Sequence, residues 1–176
     1  MSQLTVALEG TFFGVDFNPA ADRLRIISDT GQNLAHNIRP GGTTAVNAVL
    51  NYPAPVNINP ALGVTGAAYT NNDLSDTTGT TLFDIDTVGN QVAIQSPPAQ
   101  GARVAVGSLT VDPDTPVGFD IYTDLRKGTA FNNRAFASLI VGGESGFYRV
   151  NVLTGQAFLI DTFDKAVIDT AIPLNQ

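Results

Sequence analysis

Apolar and polar residues alternate along this chain in short runs, and Gly, Pro, Asn or Asp interrupts them every few positions. Alternation with a period of two marks a strand with one face buried, and the interruptions are turn chemistry. No stretch carries the spacing of an amphipathic helix. Residues 12–17 read as a strand, ended by Asn18-Pro19 because proline offers no N–H to a ladder. The next, 23–28, puts Leu24 and Ile26 on one face and Arg23 and Arg25 on the other. Asp29-Thr30-Gly31 turns the chain, and 34–38 and 44–50 complete four strands. Two further groups of four follow, at 64–70, 80–86, 91–95 and 103–111, then at 117–123, 136–142, 146–152 and 156–161. Residues 51–60, with three prolines, and 96–101 are irregular connections.

The groups begin alike. Gly14-Val15-Asp16-Phe17, Gly66-Ala67-Ala68-Tyr69 and Gly118-Phe119-Asp120-Ile121 lie 52 residues apart, and a partial fourth start, Ala166-Val167-Ile168-Asp169, follows. A fixed period of this size with four strands per copy points to propeller blades. The expected fold is a single all-β domain over residues 1–176, a propeller-like array of about three four-stranded antiparallel repeats. The repeats cover roughly 12–50, 64–111 and 117–161, with a C-terminal strand at 166–173.

Composition narrows the function. A chain of 176 residues buries about 70% of its unfolded surface and needs no staple. It has no cysteine, which removes disulfides, thiolate zinc sites and thiol catalysis. Net charge is −7, with two lysines and seven scattered arginines, so no basic stripe for nucleic acid forms. No apolar run reaches the roughly 20 residues of a membrane span, and the start lacks the pattern of a signal peptide. Abundant Gly, Pro, Thr and Asn with little Lys suggest a secreted or cell-surface β-protein.

The run Gly14-Val15-Asp16-Phe17-Asn18-Pro19-Ala20-Ala21-Asp22-Arg23-Leu24-Arg25-Ile26-Ile27-Ser28-Asp29-Thr30-Gly31-Gln32-Asn33-Leu34 closely resembles the hallmark stretch of an uncharacterised bacterial family. That family is a domain of unknown function grouped with β-propellers. Ala68-Tyr69-Thr70-Asn71-Asn72, Thr81-Leu82-Phe83-Asp84-Ile85-Asp86 and Leu153-Thr154-Gly155 extend the similarity. The resemblance implies a fold and no reaction. Relatives usually carry a further repeat before the hallmark, and Asn37-Ile38-Arg39-Pro40 replaces their usual turn after the third strand.

Candidate chemistry is sparse. His36 is the sole histidine, mid-strand and without a flanking motif, and reads as structural. Gly143-Glu144-Ser145-Gly146 misses the nucleophile-elbow spelling and reads as a hairpin turn. Carboxylates gather at Asp73 and Asp76, Asp84 and Asp86, Asp161 and Asp164, and Asp112, Asp114 and Asp120. The last three make the best candidate calcium ligands, although aspartate is also a default turn residue. Asp16 and Asp120 hold equivalent repeat positions facing a central channel, where they serve either a ligand or a structural hydrogen bond.

The leading expectation is a non-enzymatic module for binding or structural self-assembly. The alternative is a calcium-dependent propeller-type hydrolase or lactonase using Asp16, Asp120 and nearby asparagines. A carbohydrate-binding module is a third reading, weakened by the absence of tryptophan and the dispersal of Tyr52, Tyr69, Tyr122 and Tyr148. Three blades are fewer than the about four to eight that close a ring. Self-association is therefore expected, as a two-fold six-bladed ring or a head-to-tail filament.

Overall fold

The computed structural model describes residues 2–75 and 77–173. Twelve strands form three four-stranded antiparallel sheets, and the helical content is a single short turn at Pro98–Gln100. The first sheet holds β1 (Phe13–Asn18), β2 (Arg23–Ser28), β3 (Asn33–His36) and β4 (Thr44–Val46). The second holds β5 (Val64–Tyr69), β6 (Leu82–Asp86), β7 (Gln91–Gln95) and β8 (Arg103–Ser108). The third holds β9 (Gly118–Arg126), β10 (Thr129–Val141), β11 (Glu144–Val150) and β12 (Ala157–Thr162). In each, strands pair in chain order, as consecutive hairpins require. The sheets are blades of a propeller-like array, with β1, β5 and β9 as inner strands.

Turn residues set the hairpins. Lys127 and Gly128 both have positive φ, the two-residue turn whose twist suits antiparallel strands. It joins the longest pair, β9 and β10, which continues well past the other hairpins. Residues 124–126 and 129–135, which lie between the expected strands 117–123 and 136–142, are strand because that turn sits so far out. Gly142 and Gly143 make the next turn, so Glu144-Ser145-Gly146 belongs to β11 and not to the turn.

Each blade packs its forward face on the back face of the next. Ile27 of blade 1 joins Ala67, Tyr69, Leu82 and Ala93 of blade 2 in one core cluster. Ala68, Phe83 and Ile85 of blade 2 meet Phe119, Ile121, Ala137 and Leu139 of blade 3 in another. Blade 2 is therefore covered on both faces, and β5 and β6 are buried throughout.

The repeated glycine serves this stacking. A Cβ on Gly14 would lie 2.8 Å from the Thr65 carbonyl oxygen, and one on Gly66 2.9 Å from Cβ of Phe119. On Gly118 it would strike the backbone of Asp169 and Thr170. None of the three has positive φ, so space, not backbone freedom, requires glycine there.

The two ends of the arc differ. At the back of blade 1, Thr5 and Thr44 exchange backbone-to-hydroxyl hydrogen bonds of 3.0 and 2.9 Å, and Gln32 Nε2 donates to the Ala7 carbonyl. His36 is buried there, 3.0 Å from both Thr44 Oγ1 and Ser2 Oγ, which bears out its structural reading. The inner part of that face stays open: Val15 is 51% and Phe17 52% exposed. At the front of blade 3, Phe136 and Phe147 stack at 5.3 Å, and the C-terminal segment crosses toward β9. Among the described residues no helix is long and apolar enough to cross a membrane.

Candidate functional site

The inner strands are tied by carboxylates. Asp16 on β1 accepts hydrogen bonds from its neighbour Phe17 N (2.7 Å) and from Tyr69 N on β5 (2.6 Å). Asp120 on β9 repeats the pattern, accepting from Ile121 N (2.7 Å) and Ile172 N (2.5 Å). Ile172 thus stands to β9 as Tyr69 stands to β1. Gly118 against Asp169 and Thr170 likewise mirrors Gly14 against Thr65 and Ala67. Residues 166–173, expected as a C-terminal strand, belong to none of the strands; they lie beside β9 as β5 lies beside β1, held through Asp120 rather than by a strand ladder.

The centre is narrow. Strands β1 and β9, two blades apart, come within 8 Å between Cα atoms. Phe13 and Val15 share a cavity of about 270 Å³ with Ile168 and Asp169 of the C-terminal segment. Strands β1 and β9 and the C-terminal segment therefore meet at this centre.

Burial raises the Asp16 carboxyl from 3.8 to about 7, with proximity to Asp120 adding to it and the Tyr69 and Phe17 N–H groups opposing it. Burial also raises Asp120, reinforced by Asp169. The folded chain therefore holds protons that the unfolded chain releases near pH 4. Between that pH and about 7 the folded state binds more protons, so these groups make stability fall as pH rises. The melting temperature is expected to be higher at pH 5 than at pH 8, with Asp16→Asn flattening the slope. A profile rising toward pH 8 would contradict this.

A second polar constellation lies between blades 1 and 2. Arg25 Nη1 donates to Asn33 Oδ1 and Asn47 Oδ1, each at 2.7 Å, and Arg25 Nε donates to the Tyr69 hydroxyl at 3.3 Å. Asp84 on β6 is fully buried, and neither of its oxygens has a hydrogen-bond partner among the described residues. Burial raises it to about 7 against the pull of Arg103 first and Arg25 second. Arg103 is 1% exposed, its guanidinium 4.3 Å over the Tyr52 ring and likewise without a hydrogen bond. Tyr52 donates to Asp86 Oδ2 at 2.6 Å, and burial first of all holds its hydroxyl above the ordinary range. Beside this cluster a largely apolar cavity of about 510 Å³ opens, with Pro53, Ile58 and Leu62 in its wall. The guanidinium nitrogens are closed off from it.

Of the candidate metal ligands, Asp112 and Asp120 accept hydrogen bonds from within the chain. Asp112 and Asp114 are exposed, and Asp112 accepts from Asn90 Nδ2 at 2.9 Å. Asp120 is engaged by two backbone N–H groups. Asp73 accepts from Ala130 N, Ser75 N and Thr78 Oγ1, and the Ala130 hydrogen bond foremost lowers its carboxyl. Asp76 lies outside the described residues. Among the described residues no group of three or more His, Asp or Glu side chains is placed to hold a metal ion.

The expected partners of Asp16 and Asp120 were neighbouring turns. The observed partners are the next inner strand, reached by a spacing of about one repeat period. The signal was present in repeats 1 and 3, where Gly-x-Asp recurs at the equivalent position, whereas repeat 2 has Ala68 there and makes no such contact.

Fold and axis together define an all-β repeat protein whose inner strands are locked blade to blade. The chain belongs to the family described as Domain of unknown function (DUF4394), which matches residues 1–171. No curated protein matches it, and no solved structure does.

Proposed function

We propose that this chain is a non-enzymatic structural module, working outside the cytoplasm, whose fourth sector is filled by strands of another polypeptide, a second copy in the first place. One observation carries the reading. Residues 166–173 form no strand themselves, are tied to β9 by the Asp120–Ile172 hydrogen bond, and make no backbone-to-backbone hydrogen bond among the described residues. A segment in an inner-strand position with an unpaired edge is a template for strand addition. The apolar flanks agree with it: Val15 and Phe17 on one side, Phe147 and Phe163 in edge contact at 6.2 Å on the other. The narrow centre favours one added blade over a six-bladed ring, which needs β1 and β9 to separate.

Asp16 and Asp120, the carboxylates of the hydrolase alternative, each accept backbone hydrogen bonds, which supports the structural reading over it. Light scattering on the purified chain across a concentration series tests assembly. The expected result is a mass that rises above 18.4 kDa with concentration. A monomer at every concentration, with residues 166–173 resistant to protease, would sink the proposal.

A further inference from the structure

A cleft of about 690 Å³ runs between blades 2 and 3, away from the axis and independent of the assembly reading. Phe131, 65% exposed on the long β10 strand, forms part of its wall together with Phe158, Arg134 and Arg149. The guanidinium of Arg149 lies 5.2 Å over Phe158, and that of Arg126 lies 4.6 Å over Phe131. Neither arginine has a hydrogen bond or ion pair among the described residues. Arg134 is neutralised by Asp124 at 2.5 Å.

This placement is unusual for a chain of charge −7. Arg25 and Arg103 are buried, Arg39 pairs with Asp22, and Arg23 bonds to backbone carbonyls. Of the remaining cations, all but Lys165 lie on the 118–141 hairpin or on β11 beside it. The unpaired guanidinium of Arg149 therefore lines this cleft and that of Arg126 stands at its Phe131 wall, in a protein that is otherwise acidic.

We propose that this cleft binds an acidic oligosaccharide, with Arg149 receiving a sugar carboxylate and Phe131 packing on the apolar face of a ring. A free guanidinium fork matches a carboxylate in two parallel hydrogen bonds. Stacking on Phe158 holds that fork in place, which lowers the entropy cost of using it. An exposed phenyl ring offers a flat apolar surface to the C–H face of a pyranose. The exposed amides of Asn132 and Asn151 supply donors and acceptors for hydroxyl groups. Two unpaired arginines in an acidic chain fall short of the phosphate contacts a nucleic-acid groove needs.

The test is calorimetric titration of the full chain with a galacturonic-acid trisaccharide, the neutral galactose trisaccharide, and a single-stranded oligothymidylate. The acidic sugar is expected to bind roughly tenfold or more tightly than the neutral one, as a charge-assisted contact predicts. Arg149→Gln and Phe131→Ala should each weaken it by roughly tenfold, about the loss of one such contact, while thermal melting stays unchanged because both side chains are exposed. No binding of the acidic sugar at millimolar concentration overturns the proposal. So does equal affinity for the neutral sugar, an unaffected Arg149→Gln variant, or tighter binding of the oligothymidylate.

Discussion

Replacing Arg103 with methionine is expected to destabilise the chain by about 3–5 kcal/mol near pH 8, the cost of leaving a buried charge without its partner. Asp84 is fully buried and its strongest favourable neighbour is Arg103. Without that guanidinium, the carboxylate keeps only the weaker influence of Arg25. With Arg103 gone the Asp84 carboxyl rises above the value of about 7 it has beside the guanidinium, so at pH 5 it is protonated and the uncompensated charge is removed. The variant should therefore recover part of its loss at pH 5. Adding Asp84→Asn should recover part of it at pH 8, since removing both charges is less costly than removing one. Urea denaturation of the two variants at both pH values reads these effects directly. An Arg103→Met variant as stable as the parent at pH 8 would mean that Arg103 and Asp84 do not act as a pair.

The second large effect is expected from two substitutions at equivalent repeat positions. Gly14→Ala pushes a methyl group against the Thr65 carbonyl oxygen and the Ala67 nitrogen, both backbone atoms of blade 2. Overpacking of this kind costs about 1–3 kcal/mol, and here it separates two blades that share a core. Gly118→Ala makes the same kind of clash with the backbone of the C-terminal segment, and also meets Ser138 Oγ on β10, a side-chain end that can rotate away. That segment has few other ties: Phe163 N to the Ser145 carbonyl, Val167 N to Ser145 Oγ and Ile172 N to Asp120. Gly118→Ala should leave the melting temperature almost unchanged and make residues 166–173 sensitive to protease. Gly14→Ala should lower the melting temperature instead. Equal effects of the two would contradict the assignment of residues 166–173 to an inner-strand position.

The architecture was legible where local chemistry decides it. Strands 23–28 and 91–95 fall where alternation and turn residues place them, and the 52-residue period corresponds to the three sheets. The interior between blades was not legible. Alternation along Arg23–Ser28 puts Arg25 on a polar face, yet that face packs on blade 2 and Arg25 is buried. A propeller blade is covered on both faces, so polar positions in the pattern do not all point to solvent. Asp84, Asp86, Gln95 and Arg103 are buried for the same reason. The extent of β9 and β10 was hidden because Asp124-Leu125-Arg126-Lys127-Gly128 looks like loop. Only the paired register across it, Leu125 with Ala130 and Asp124 with Asn132, shows a hairpin arm. The cleft beside that arm has no signature in the sequence, because its aromatics are the phenylalanines Phe131 and Phe158, a residue type equally common in cores.

The central claim is that residues 166–173, placed beside β9 in an inner-strand position, take strands from another chain along their unpaired edge. Amide hydrogen exchange on the intact chain, measured from micromolar to millimolar concentration, tests it most directly. The account predicts that protection at 166–173 rises with concentration, while β5 and β6, buried within the monomer, stay equally protected throughout. Exchange at 166–173 that does not change with concentration would contradict it.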